Sequence, residues 1–205
     1  MGKLTLTEFL TLDGVCQAPG GPDEDTSGGF DLGGWTVPYA DADFGRFMDE
    51  VFERPGAFLL GRRTYEIFAA YWPKVTDPGH LIASKLNSLP KYVVSTTLDR
   101  ADWAGTTIVG ADLVKEVTAL KERTDGELQM HGSAALARSL MAHDLIDALN
   151  LLVFPVVLGK GRRLFTDGAE PTAFRHTGDR TTGSGIAIHA YERAGRPEYG
   201  TYETE

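Results

Sequence analysis

The chain has 205 residues, 42 % of them hydrophobic, which suits one domain with a full core and little length for a second. Against 29 Asp and Glu, 20 Lys and Arg leave a net charge of −9, a surface that repels phosphate backbones and argues against nucleic acid as a partner, so paired arginines stand out as places where an anion is wanted. Cys16 is the single cysteine and the five histidines are scattered without ligand spacing, so neither an internal disulfide nor a metal is expected. No signal peptide follows Met1 and no apolar run approaches the ~20 residues of a membrane span, so the expected location is the cytoplasm, with no membrane partner.

Strand and helix patterns alternate along the first three quarters of the chain, as in an α/β sheet with helices on its faces. Leu4, Leu6, Phe9 and Leu10 make a first strand that ends at Thr11-Leu12-Asp13-Gly14. Residues 17–42 are rich in Gly, Pro and Asp and read as one long loop, a length typical of functional lids. Phe44, Phe47, Met48, Val51 and Phe52 then share one helical face. A short strand, Ala57 to Leu60, meets Gly61-Arg62-Arg63-Thr64, and Tyr65, Phe68, Ala69 and Trp72 continue as a helical stripe stopped at Pro73. A helix over 81–89 leads past Pro90 to the strand Tyr92-Val93-Val94 and then Ser95-Thr96-Thr97. Thr106–Val109 is a strand, and Asp112 can cap a helix with Leu113, Val114, Val117 and Leu120 inside. A strand over 128–131 precedes Gly132-Ser133-Ala134-Ala135 and a helix carrying Leu136, Leu140 and Met141. Residues 148–158 are apolar on both faces, as a buried central strand requires, and 185–192 alternate as an antiparallel closing strand. The polar tail from Gly195 reads as frayed, and residues 1–205 as one domain.

Three junctions put small or hydroxyl residues where a strand ends. At Gly61-Arg62-Arg63-Thr64 glycine admits a ligand to the backbone, the helix start offers free N–H groups, and arginine adds a phosphate fork; a solvated surface turn is the plainer reading. Ser95, Thr96 and Thr97 offer hydroxyls to a phosphate, or are ordinary loop chemistry. At Gly132-Ser133-Ala134-Ala135, Ser133 is a plausible N-cap, and the small residues either admit a pyrophosphate or simply pack tightly. Neither G-x-G-x-x-G nor G-x-x-x-x-G-K-[ST] occurs. Gly159-Lys160-Gly161-Arg162-Arg163 holds the second Arg-Arg pair, as a hairpin or a cofactor contact. Trp35, after Gly33-Gly34 in the long loop, either covers a planar ring or anchors the loop.

As an ordered set, Leu12-Asp13-Gly14, Gly33-Gly34-Trp35, Leu60 to Glu66, Val93-Val94-Ser95, Gly132-Ser133 and Pro155 to Gly161 resemble one family over residues 3–193. It is the dihydrofolate-reductase-like family that contains the C-terminal reductase domain of the bifunctional riboflavin-biosynthesis deaminase/reductase. The resemblance implies a mostly parallel twisted sheet flanked by helices with an antiparallel C-terminal edge. It implies NADPH across the strand C-termini, with Gly61, Arg62, Arg63 and Thr64 on the phosphates. Ser95, Thr96 and Thr97 would then approach the 2′-phosphate, Gly132, Ser133, Ala134 and Ala135 the pyrophosphate, and Gly159 and Gly161 also the cofactor. Asp13 matches the family's Ser-Leu-Asp-Gly segment beside substrate and nicotinamide. The deaminase zinc signature is absent. Trp35-Thr36-Val37-Pro38 resembles the Trp-x-x-Pro element of dihydrofolate reductase, but Ala40 stands where that enzyme carries its acid, with Asp41 and Asp43 nearby.

The reading is an oxidoreductase passing a hydride from NADPH to a small heterocyclic or carbonyl-bearing substrate. Asp13 is the expected acid or proton relay, and Trp35 and Asp43 substrate contacts; alternatively Asp13 caps a turn. The rival reading is a non-catalytic nucleotide-binding sensor or scaffold that keeps the fold. Ile186, Ile188 and Tyr191, with the apolar 148–158 run, suggest strand surface beyond what helices cover, so a homodimer is expected.

Overall fold

A computed structural model describes residues 2–110 and 112–202. Strand β1 (Leu4–Thr11) opens the chain, and helix α1 (Ala42–Phe52) follows the long loop. Strand β2 (Pro55–Gly61) runs directly into α2 (Arg62–Tyr71), and α3 (Leu81–Ser88) precedes β3 (Lys91–Val94) and β4 (Thr106–Val109). Then come α4 (Leu113–Arg123), β5 (Glu127–His131), α5 (Ala134–Met141), β6 (Ala148–Phe154), β7 (Ala173–Thr181) and β8 (Ala187–Gly195). They form one eight-stranded sheet in the order β4-β3-β2-β5-β1-β6-β8-β7. The first six strands are parallel, and β8 and β7 add an antiparallel edge.

The period-two pattern of β1 decides what each face of the sheet packs against. Leu4, Leu6 and Leu10 point into a core shared with Val117 and Leu120 of α4 and Leu136, Ala137 and Leu140 of α5. Phe9 points the other way, into a core built from the predicted stripe Phe47, Met48, Val51 and Phe52 of α1 together with Tyr65 of α2 and Leu86 of α3. The start of α4 and the end of α3 follow their expected chemistry. Asp112 accepts a hydrogen bond from Lys115 N–H at 3.2 Å as the α4 N-cap, and buried Lys91 donates to the Leu86 and Leu89 carbonyls at the end of α3.

Two features differ from expectation. The apolar 148–158 run is a strand only to Phe154, because Pro155 cannot donate to the ladder and the chain turns there. Strand β7 escapes a reading for hydrophobic alternation, since as the polar outermost strand it buries no side chain fully.

The 17–42 loop is held by polar contacts. Gln17 Nε2 donates to the Asp25 and Ser27 carbonyls and its Oε1 accepts from Arg162 N–H. Asp25, with its side chain 8 % exposed, pairs with both Arg162 and Arg63. Among the described residues no helix is long and apolar enough to cross a membrane.

Candidate functional site

Strand β5 stops at His131, opposite Thr7, whereas β1 runs on beside β6 to Thr11. This leaves a notch beyond the C-terminal ends of β5 and β2, where open α/β sheets bind ligands. A cavity of about 680 Å³ opens there, within the ~300–1,000 Å³ typical of small-molecule sites. One wall is apolar, from Phe9 and from Phe44, Met48 and Phe52 of α1. The opposite wall is the backbone of residues 61–64 and 132–135, and Glu8, Cys16 and His131 are among its polar lining. A more open groove of about 950 Å³ lies between α2, α3 and residues 98–104, and none of the expected site residues lines it.

Two junctions singled out in the sequence are joined directly. Gly132 and Ser133 both take left-handed backbone, with φ of 64° and 66°. That turn carries the Ser133 hydroxyl away from its own helix: its oxygen accepts from Gly61 N–H at 3.0 Å and its proton goes to Thr64 Oγ1 at 2.8 Å. Ser133 therefore sits at the N-cap position of α5 without capping it, and Gly61 leaves α2 uncapped as well. Two neighbouring helix N-termini thus present unfilled backbone donors beside one cavity, a site suited to anions. The third junction joins through Arg62, whose Nη1 donates to Thr97 Oγ1 at 2.5 Å while Nε pairs with Glu66 at 2.7 Å. Ser95 Oγ accepts from Thr97 and Leu98 N–H, which fixes the turn that carries Thr96 and Thr97.

Other expected residues lie away from this cavity. The Asp13 carboxylate takes four donors: Thr11 Oγ1 at 2.6 Å, Leu158 N–H at 3.2 Å, Gly159 N–H at 2.9 Å and Arg163 Nη2 at 3.2 Å. The Thr11 hydroxyl leads in drawing its pKa down to about 2, with the Leu158 and Gly159 amides adding to it. Engaged by these four donors, the Asp13 carboxylate fastens the segment after β6 to the end of β1. Gly159 and Gly161 belong to that segment and do not line the cavity. A side chain at Gly161 would strike Val15 and Phe30 at 2.7–2.8 Å, so its role is close packing. Trp35 is buried, donates from Nε1 to the Gln17 carbonyl at 2.8 Å and packs edge-on against Phe154, anchoring the loop. Asp43 pairs with Arg46 and accepts from Gly183 N–H at 3.1 Å, outside the cavity.

The cavity also contains residues the sequence reading passed over. Glu8 occupies a core-facing position of β1 between Leu6 and Leu10, where an aliphatic side chain is the rule, and that break in the strand pattern was its signal. It is 3 % exposed, and its Oε2 has no hydrogen-bond partner among the described residues. Burial pushes its pKa up to about 8. His131 stacks on Phe52 with ring centroids 4.5 Å apart and shares a hydrogen bond with Gln129 Oε1 at 3.1 Å; burial pushes its pKa down to about 3.

Residues 2–188 match the family described as the RibD C-terminal domain. The chain is 26 % identical over 191 residues to the uncharacterized protein YyaP of Bacillus subtilis, covering 92 % of this chain and 94 % of that one. In fold it is similar to a pyrimidine reductase-like protein from Corynebacterium diphtheriae, with a TM-score of 0.65 at 14 % identity over 94 % of this chain and 92 % of that one. It is likewise similar to a dihydrofolate reductase from Enterococcus faecalis complexed with NADP(H), with a TM-score of 0.56 at 16 % identity over 94 % and 96 % of the two chains.

Proposed function

The chain belongs to the RibD C-terminal domain family, and on that premise we propose that it is an NADPH-dependent oxidoreductase acting on a small heterocyclic or carbonyl-bearing substrate. The observation that carries this reading is the pair of uncapped helix starts, α2 and α5, tied together by Ser133 beside a cavity with an apolar wall. Unfilled N–H groups suit a pyrophosphate, and the aromatic wall suits a flat ring. Arg62 and Thr97, already in contact, suit the extra phosphate that distinguishes NADPH from NADH.

The residues present fit such a cofactor. Backbone at 61–64 and 132–135 would hold the pyrophosphate, and Arg62 with Ser95, Thr96 and Thr97 the 2′-phosphate. Arg63 is shared with Asp25, so its contribution to a phosphate competes with its hold on the long loop. When bound, the reduced nicotinamide supplies a hydride. The chain's own part is to orient the acceptor within the cavity, to exclude water, and to provide a proton.

Hydrogen exchange with and without NADP+ tests this reading. The amides of residues 61–64 and 132–135 are expected to gain protection together; protection at neither segment would contradict it. The same reading includes a homodimer, supported by half-buried Leu151, Val153 and Tyr191 on one face of β6 and β8, whereas Ile186 and Ile188 are buried in the core and expose no surface for it. A monomer mass in light scattering across a wide concentration range would refute the dimer.

A further inference from the structure

Asp13 is engaged as a carboxylate away from the cavity, so the proton that must accompany a hydride needs another source. Glu8 lines the cavity, is 3 % exposed, and leaves Oε2 without a partner among the described residues. A buried polar atom left unpaired costs about 1–3 kcal/mol, so a position that keeps one is a candidate for a functional contact.

We propose that the Glu8 carboxyl donates the proton of the reduction, to the nitrogen or oxygen of a flat acceptor with a C=N or C=O bond lying in the cavity. This rests on the reductase reading above and deepens it. With reduced nicotinamide as the reductant, a hydride carries two electrons to the acceptor carbon and the π pair moves to the heteroatom. The Glu8 O–H bond breaks and a new N–H or O–H bond forms there. The products are the reduced substrate, oxidised nicotinamide and a Glu8 carboxylate, which regains its proton from water.

The other groups around the cavity are each engaged otherwise. Cys16, in the segment after β1, is pushed up to about 12 by burial and so is too weak an acid. His131, at the end of β5, is held neutral by burial and has no proton to spare as an imidazolium. Asp25 is committed to Arg162 and Arg63. Glu24 accepts from the Gly20 and Gly21 amides, and His80 Nδ1 accepts from Ala83 N–H. Asp49 stands in water at the rim. The positive charges acting on Cys16 are Arg162, in the segment after β6, and Arg138 of α5, which donates to the Arg163 carbonyl. Burial keeps Glu8 protonated up to about pH 8, so it enters the reaction carrying the proton.

The test pairs a titration with turnover in wild type and Glu8→Gln. In protein labelled with 13C at glutamate carboxyls, the resonance missing from Glu8→Gln should titrate near pH 8 in wild type; a midpoint in the ordinary carboxylate range would overturn the proposal. NADPH oxidation is then followed with 7,8-dihydropterin and 4-nitrobenzaldehyde as acceptors. Glu8→Gln should bind NADPH as wild type does, lose about a hundredfold or more in kcat, and lose the fall of kcat above pH 8. Wild-type turnover that Glu8→Gln retains would overturn the donor role alone. NADPH binding without turnover of either acceptor by wild type would count against both the donor role and the reductase reading. Glu8→Leu gives a folded control: it should raise the melting temperature, because it replaces the unpaired carboxyl with the aliphatic residue that Leu6 and Leu10 call for.

Discussion

The Ser133 hydroxyl, at the end of β5, accepts from the Gly61 amide at the end of β2, 3.0 Å away and 72 positions earlier in the chain. The same hydroxyl donates to Thr64 Oγ1, so one side chain sets the spacing of two helix N-termini. Ser133→Ala leaves the Gly61 N–H and the Thr64 hydroxyl to find other partners. The expected cost is about 1–3 kcal/mol in stability, with weaker NADPH binding alongside. Calorimetry and a cofactor titration on the same preparation check both; loss of stability with unchanged affinity would assign Ser133 to the scaffold alone.

Arg62 reaches Thr97 from the first residue of α2, and the two define the candidate 2′-phosphate pocket. Charged hydrogen bonds to phosphate contribute about 1.5–3 kcal/mol each, so Arg62→Ala should weaken NADPH about tenfold or more and leave NADH nearly unchanged. Parallel loss for both nucleotides would move the 2′-phosphate elsewhere.

Asp13→Asn is expected to be a structural change. Asparagine offers one accepting oxygen where the carboxylate offers two, and it gives up the charge paired with Arg163. Stability should fall by about 1–3 kcal/mol, and proteolysis between residues 155 and 165 should speed up, while NADPH affinity holds. Because the folded-state pKa of Asp13 is depressed to about 2, its share of stability is intact above the ordinary aspartate value of about 4 and is lost as pH falls from there toward 2.

Glu8 runs the opposite way. Its folded-state pKa is raised to about 8, so between about pH 4.5 and 8 the folded state binds a proton that the unfolded chain has released. Stability should fall with rising pH across that window, by about 1.4 kcal/mol per unit at most. His131, depressed to about 3, opposes this below its ordinary value of about 6.5, where the unfolded chain takes up the proton. Urea melts of wild type and Glu8→Gln isolate the Glu8 slope, since every other group is common to both. Parallel stability–pH curves would contradict a protonated Glu8.

Much of this was legible in the sequence because local pattern and global fold agree. The α1 stripe, the β3 and β4 runs and the strand-end glycines each carry a periodic or steric signal that survives folding. The partnerships were not legible. Nothing local says that Ser133 caps a neighbouring strand rather than its own helix, since that depends on consecutive left-handed residues at 132 and 133. Likewise the sequence offers Asp13 as an acid or a turn cap, and neither reading shows that the Leu158 and Gly159 amides fold back onto it. β7 was missed because an edge strand has no core face to pattern. Glu8 was legible, as a carboxylate among leucines, but a single break in alternation stays silent until the cavity beside it is seen.

Whether the notch beyond β2 and β5 holds NADPH is decided by a fluorescence titration of the protein with NADPH and with NADH in the same low-salt buffer. NADPH should bind saturably and about tenfold or more tighter than NADH, because two uncapped helix starts receive the pyrophosphate common to both and only Arg62 and the 95–97 hydroxyls distinguish them. Equal affinities, or no binding of NADPH, would contradict it.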